Sequence, residues 1–186
     1  MALTSSTMLP LGTVAPDFIL PDTVSNKMHS LHELRSTSAT VIMFICNHCP
    51  FVKHILPELV RITHEYSALG IQFIAINSND IKNYPEDSPE KMRELAHKMS
   101  FPFPYLFDET QAVAKSYHAA CTPDFFIFDK QLHCIYRGRF DGSTPSNNIP
   151  VTGNELSAAL DHILTGEKLS DEQHPSMGCN IKWINE

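Results

Sequence analysis

The sequence predicts an α/β domain in which helices pack on both faces of one central sheet. Residues 40–45 and 71–77 are apolar runs that are typical of buried strands. Between them, apolar side chains recur with helical spacing from about residue 49 to residue 69, and Gly70 follows as a helix terminator. Strand, helix and strand in this order are typical of a parallel βαβ unit. With 186 residues, the chain can bury a sizeable core as one domain.

Ahead of the central strand, residues 15–22 and 27–31 predict two short strands around a polar turn, and therefore an N-terminal β-hairpin. A helical turn at residues 31–34 leads into the sheet. We expect residues 1–11 to form a flexible N-terminal arm, residues 12–165 to form the domain, and residues 166–186 to form a C-terminal tail that packs on it.

The second half of the chain continues the alternation of helices and strands. After a polar loop, Ser88 and Pro89 form a strong helix start, with Ser88 as the N-cap and Pro89 in the first helical position. The remaining predicted elements are a helix to about residue 100, a strand at 105–107, a helix at 109–117, a hairpin of strands 124–129 and 132–140, and a helix at 154–164.

The charge balance restricts the partners. Fourteen Lys and Arg residues against 21 Asp and Glu residues give a net charge of −7, which argues against nucleic acid and anionic membrane surfaces. The sequence has neither a signal-peptide pattern at its N-terminus nor an apolar run near the ~20 residues that span a bilayer. We therefore expect a cytoplasmic location without membrane association.

Cys46 and Cys49 form a Cys-x-x-Cys pair between the central strand and the following helix. The unpaired N–H groups and the dipole at a helix N-terminus stabilise a thiolate. In a reducing compartment, such a close pair indicates redox chemistry or a metal site more often than a structural disulfide.

Further downstream, Cys121-Thr122-Pro123 precedes the strand at 124–129. Together with the Cys-x-x-Cys turn, this arrangement resembles the thioredoxin superfamily, in which a cis-proline before a strand packs against the redox thiol. Within it the chain is most similar to the alkyl hydroperoxide reductase/thiol-specific antioxidant branch, a peroxiredoxin-like group, over about residues 10–184. The resemblance is carried by Ala15-Pro16-Asp17-Phe18, Asn47-His48-Cys49-Pro50-Phe51-Val52-Lys53-His54, Thr122-Pro123-Asp124-Phe125-Phe126 and Pro175-Ser176-Met177-Gly178-Cys179-Asn180-Ile181-Lys182-Trp183.

This resemblance implies a thioredoxin fold with a central mixed sheet, a cis Pro123 and a redox site, and the site can be aligned in two registers. If Cys46 were the attacking cysteine, it would follow the strand directly and leave no loop before the helix. With Cys49 in that place, the spacing from Phe44 to Pro50 is similar to that of the superfamily. We prefer this second register, in which Cys49 lies at the helix N-terminus, a position that lowers a thiol pKa from ~8.5.

The departures from peroxiredoxins bear on the reaction. Those enzymes bind peroxide with a Thr three residues before the reactive Cys and with an Arg from a later strand, whereas this chain has Cys46 and Pro123 at about those places. Arg137 and Arg139 are the candidates for a replacement guanidinium. The resemblance therefore implies a thiol–disulfide oxidoreductase or peroxiredoxin-like antioxidant enzyme whose peroxidase activity is slow.

Several side chains are candidates for this site. Cys49 would attack and Cys46 would resolve, because thiol exchange needs only a second thiol within reach. Cys134 is expected in the core. The site is further expected to include Pro123, and the additional candidates are Cys121, His48, Thr122 and Cys179.

Three functions stay open at this point. The first is a redox enzyme without a cofactor, acting on a small-molecule peroxide or a protein disulfide and recycled by a reducing thiol or a thioredoxin-like partner. The second is a protein that binds a soft metal, Cu(I) or Zn(II), through Cys46, Cys49, Cys121 and His48. The third is a redox-inert adaptor with buried thiols.

Overall fold

A five-stranded mixed sheet runs through the middle of the computed structural model, which describes residues 3–184. In spatial order its strands are β6 (Tyr105–Phe107), β5 (Ile71–Asn77), β4 (Ala39–Phe44), β8 (Asp124–Asp129) and β9 (Cys134–Gly138). β4 is parallel to β5 and antiparallel to β8, while β6 and β9 form the two edges. The mixed central sheet that the sequence predicts is therefore confirmed.

Helices cover both faces of this sheet, because successive side chains of a strand point to opposite faces. Val41 and Met43 of β4 enter one core and Ile42 and Phe44 enter the other. The first core packs against α2 (Pro50–Ser67), α3 (Pro89–Met99) and α5 (Asn154–Thr165), and the second against α1 (Leu31–Leu34) and α4 (Ala112–Ser116).

The predicted N-terminal hairpin is also present. β2 (Ile19–Pro21) pairs antiparallel with β3 (Met28–Ser30). Ser30 then caps α1: its hydroxyl accepts the N–H of Glu33, and the Glu33 carboxylate accepts the N–H of Ser30. This reciprocal capping explains why so short a helix begins there.

The expected loose arm is replaced by a second sheet. β1 (Leu3–Ser5) pairs with β10 (Met177–Asn180) of the tail, and β10 pairs on its other side with β7 (Cys121–Thr122). Residues 1 and 2, which the arm prediction also included, lie outside the described part. The arm prediction was wrong for β1 because its pairing depends on a strand more than 170 residues away, which leaves no local signal. The 12–165 domain bounds stay a prediction.

The hairpin strands span three residues each instead of the predicted 15–22 and 27–31, and two later elements are also shorter than expected. α4 begins at Ala112 instead of residue 109 because Gln111 has a positive φ of 62° and the Asp108 carboxylate accepts the N–H of Ala114. β9 spans only Cys134–Gly138, since Arg139 leaves the strand ladder and donates its N–H to the carbonyl of His174 in the tail.

Within residues 3–184, no helix is both long and apolar enough to cross a bilayer. The expected cytoplasmic location stays a prediction.

Candidate functional site

Cys49 lies at the N-terminus of α2, where the preferred register places it. It is the N-cap residue, with φ −63° and ψ 124°, and Pro50 occupies the first helical position. β4 ends at Phe44, so residues 45–49 form the loop that this register requires. The Cys49 side chain is fully buried. The helix therefore directs its unpaired N–H groups at a thiol that is shielded from water.

The Cys49 sulfur has two close polar neighbours. Its Sγ lies 2.9 Å from Sγ of Cys179 and 3.1 Å from the carbonyl oxygen of Thr122. The pKa of Cys49 is lowered to about 4, chiefly by hydrogen bonding from Cys46, with further hydrogen bonds from Cys179, Thr122 and the backbone of Val52. These interactions outweigh burial, which raises the pKa of a thiol. The net balance of these contacts favours the thiolate form of Cys49.

Cys46 lies next to Cys49, and its pKa is shifted in the opposite direction. Its Sγ is 3.4 Å from Oγ1 of Thr122 and 3.9 Å from Nδ1 of His48. Burial, the hydrogen bond to Cys49 and the charge of Asp87 raise its pKa well above the ordinary value. The shift favours the thiol form of Cys46, which donates a hydrogen bond to Cys49.

Asp87 holds the loop between the two thiols and was missed in the sequence. Its fully buried carboxylate accepts the backbone N–H groups of Asn47 and His48 at 2.7 and 3.2 Å and pairs with Nδ1 of His48 at 2.5 Å. Burial raises the pKa of Asp87, but hydrogen bonds from His48 and Asn79 outweigh it, so the net shift is downward. A lone acid in a loop before a helix carried no signal for this role.

His48 lies 3.9 Å from the Cys46 sulfur through Nδ1, and its main partner is Asp87. Its ring stacks on Tyr84, with ring centroids 5.1 Å apart. Lys182 from the tail lies over the other ring of this stack, with Nζ 5.6 Å from the centroid of Tyr84. The tail and the Cys-x-x-Cys loop are thus joined through His48 and Tyr84.

The segment around Pro123 completes the site. The Thr122–Pro123 peptide bond is cis, where the resemblance implied it. The Cys121 thiol donates to the carbonyl oxygens of Pro123 and Ser176 at 3.7 and 4.0 Å, and burial raises its pKa. Cys121 therefore binds the tail backbone, while Cys179, the more remote candidate, contacts Cys49. Cys134 lies in the second core, as expected.

A cleft of about 270 Å³ borders this segment, with Pro123 and Phe51 among its lining residues. Arg139 also lines it and is paired with Glu155 at 2.7 Å. Arg137 instead donates to the carbonyl oxygen of Leu9 and to Gln173. Of the two arginines considered from the sequence, Arg139 lies beside Pro123.

The structure brings together a different group of metal-ligating side chains from the one considered in the sequence. Cys46, His48 and Asp87 place donor atoms within 4.8 Å of one another in the described part of the chain. The ring nitrogen and the carboxylate of this group already bind each other. A soft metal prefers thiolates and imidazoles. In this group the hard carboxylate of Asp87 stands in place of the Cys49 and Cys121 thiols of the expected set, so its donors match Cu(I) poorly.

Comparison with known proteins places this chain in a family. The AhpC/TSA family model matches residues 11–137. The thiol-disulfide oxidoreductase ResA of Geobacillus kaustophilus (strain HTA426) is 26% identical over 127 residues, 68% of this chain and 68% of that protein. An uncharacterized conserved protein from Geobacillus kaustophilus has a crystal structure with 54% identity and a TM-score of 0.98, covering 100% of this chain and 98% of that one.

A more distant likeness concerns the fold alone. The thioredoxin domain of a thiol-disulfide oxidoreductase from Bacteroides vulgatus is 14% identical, with a TM-score of 0.62 over 82% of this chain and 99% of that one. The architecture is the thioredoxin fold, with a central mixed sheet between helices. Because the family model spans more than half of its residues, the chain belongs to the AhpC/TSA family.

Proposed function

We propose that this protein is a thiol–disulfide oxidoreductase in which Cys49 is the attacking thiolate. The observation that carries the proposal is the position of Cys49, at a helix N-terminus and hydrogen-bonded by two further thiols. A thiolate is the nucleophile of disulfide exchange, and a second thiol within reach completes the exchange. Cys49 is the nucleophile in this proposal, and Cys46 and Cys179 are the further thiols within its reach.

In the reaction, the Cys49 thiolate attacks one sulfur of a substrate disulfide and forms a mixed disulfide, while the other substrate sulfur leaves as a thiolate. A second thiol of the site then attacks the Cys49 sulfur and releases the rest of the substrate as a thiol. The substrate gains two electrons, and the protein keeps an internal disulfide. An external dithiol, such as a thioredoxin-like protein, reduces that disulfide and closes the cycle. The sequence favoured Cys46 as this second thiol.

Peroxide reduction is proposed only as a slower activity of the same thiolate. Cys46 and Pro123 occupy the places where the sequence resemblance implies peroxide-binding Thr and Arg side chains. The guanidinium of Arg139 is held by Glu155, with Nε 2.8 Å from Oε1. With its charge compensated there, Arg139 contributes little to the polarisation of a peroxide.

The proposal is tested by turnover of a small disulfide and of insulin with dithiothreitol as the reductant. Cys49→Ser removes the nucleophile, so it should abolish turnover of both substrates. Cys134→Ser is the matched control, since Cys134 is equally buried but lies in the second core. Wild-type turnover in the Cys49→Ser variant would contradict the proposal, as would an equal loss in both variants.

A further inference from the structure

The C-terminal tail brings a third thiol to the site. β10 lies between β1 and β7, and its register places Cys179 opposite Thr122. The carbonyl oxygen of Thr122 also lies 3.1 Å from the Cys49 sulfur. The side chains of Cys49 and Cys179 therefore converge at Thr122, with their sulfur atoms 2.9 Å apart.

Gly178 permits this close approach. A Cβ atom added to Gly178 would overlap with the carbonyl group of Thr122 and come within 3.2 Å of the nitrogen of Pro123. Any side chain at position 178 would therefore push β10 away from the segment that ends in the cis-proline. The glycine next to Cys179 thus sets the distance between the tail and Cys49.

The tail is also fixed on both sides of Cys179. Before it, the Ser176 hydroxyl donates to the carbonyl of Gly138 at 2.8 Å, and the Ser176 carbonyl accepts the N–H of Ser6 at 2.8 Å. After it, Lys182 donates its N–H to Oδ1 of Asn79 at 2.8 Å and accepts the N–H of Asp80 at 2.9 Å. These anchors hold the Cys179 thiol in one place.

The charges around the two candidate partner thiols differ in sign. Burial and contact with Cys49 raise the pKa of Cys179 to about 12, whereas the charge of Lys182 lowers it. Near Cys46, by contrast, the charge of Asp87 raises the pKa further. Once Cys49 is oxidised its negative charge is gone. Cys179 then has a cation nearby and Cys46 has an anion, so loss of a proton is easier at Cys179.

We propose that Cys179 is the resolving thiol of the site, so that turnover proceeds through a disulfide between Cys49 and Cys179. This inference rests on the proposed role of Cys49 and names its partner. After exchange, the Cys179 sulfur bonds to Cys49, the bond from Cys49 to the substrate breaks, and the released substrate thiolate takes the proton of Cys179. After attack on a peroxide, Cys179 displaces hydroxide from the Cys49 sulfenic acid, and the thiol proton leaves with it as water.

The test is disulfide mapping of the fully reduced chain after one equivalent of hydrogen peroxide, with rapid acid quenching and mass spectrometry of peptides. We expect a bond between Cys49 and Cys179 in the wild type and in Cys46→Ser. In Cys179→Ser we expect a Cys49 sulfenic acid that dimedone traps.

The other outcomes separate the two proposals. A wild-type bond between Cys49 and any cysteine except Cys179 would overturn this inference and leave Cys49 as the nucleophile. If the five thiols of the wild type stay unoxidised with hydrogen peroxide and also with oxidised glutathione, both proposals fail.

A second variant keeps every cysteine and changes only the distance between the tail strand β10 and Thr122. Gly178→Ala should slow formation of the Cys49–Cys179 bond about tenfold or more, since a displacement of about 1 Å between reacting groups costs up to ~100-fold in rate. Circular dichroism and thermal unfolding check that the variant is folded. An unchanged rate in a folded Gly178→Ala variant would also overturn the inference.

Discussion

The sulfur atoms of Cys49 and Cys179 lie 2.9 Å apart although 130 positions separate the two residues in the chain. One sulfur is held by the start of α2 and the other by a tail strand paired with the segment before Pro123. Because Cys179 contacts Cys49, the C-terminal tail belongs to the site.

The first prediction concerns the charge of Cys49. Because its pKa is lowered to about 4, the ultraviolet absorbance of one thiolate should be present at neutral pH and disappear on acidification around that value. The measurement is an absorbance titration of the wild type against Cys49→Ser, which should lack this transition. A wild-type thiolate that forms only above about pH 8 would contradict the prediction.

The second prediction concerns Cys46 as a hydrogen-bond donor. Its hydrogen bond is the largest cause of the low pKa of Cys49. A hydrogen bond to a charged group contributes about 1.5–3 kcal/mol, so Cys46→Ala should raise the thiolate transition by about one to two pH units. Cys46→Ser keeps a donor and should raise it less. Equal midpoints in wild type and Cys46→Ala would show that Cys46 does not stabilise the thiolate.

The third prediction concerns Asp87 and the loop between the two thiols. Asp87→Asn weakens an acceptor that binds two backbone N–H groups and His48, and should cost about 1–3 kcal/mol of unfolding free energy at neutral pH. Because the folded-state pKa of Asp87 is depressed, its contribution is present above the unfolded pKa of ~3.9 and is lost as pH falls.

Urea unfolding at about pH 7 and about pH 3 tests this, and the difference between the wild type and Asp87→Asn should be smaller at the lower pH. Glu86→Gln is the matched control, as Glu86 is exposed. A loss of equal size in both variants, or a loss independent of pH, would rule out the assigned role.

The fourth prediction concerns Asp124, which follows Pro123 and accepts a hydrogen bond from Ser6 at 3.0 Å. Burial raises the pKa of Asp124 to about 7. The folded state then keeps a proton that the unfolded state releases above ~3.9, so stability should fall as pH rises from about 4 to about 7, by on the order of 3 kcal/mol.

Asp124→Asn should remove this dependence, whereas the exposed Asp171→Asn should keep it. The unfolding free energy across this pH range is the measurement. Parallel pH profiles for the wild type and Asp124→Asn would contradict the prediction.

The central fold could be predicted because its signals are local. Buried strands such as β4 and β5 show as continuous apolar runs, and α2 shows in the helical spacing of its apolar face. β1, β7 and β10 could not be predicted in this way. They are two to four residues long, and their pairing is decided by contacts between distant parts of the chain.

The same distinction holds within the site. The place of Cys49 at the helix start followed from Pro50 and the apolar spacing after it. The contact of Cys179 with Cys49 and the anchoring of the loop by Asp87 depend on tertiary packing. Gly178 was visible in the sequence, but the need for a glycine there appears only beside the Thr122 carbonyl.

The most direct test of the central claim is a trapping measurement on the Cys46→Ser/Cys179→Ser double variant. With both neighbouring thiols removed, a mixed disulfide at Cys49 can form but cannot be resolved. After incubation with oxidised glutathione, intact-mass and peptide spectra should show one glutathionyl group per chain, attached to Cys49. A folded double variant that carries the group on another cysteine, or carries none, would contradict the assignment of Cys49 as the attacking thiolate.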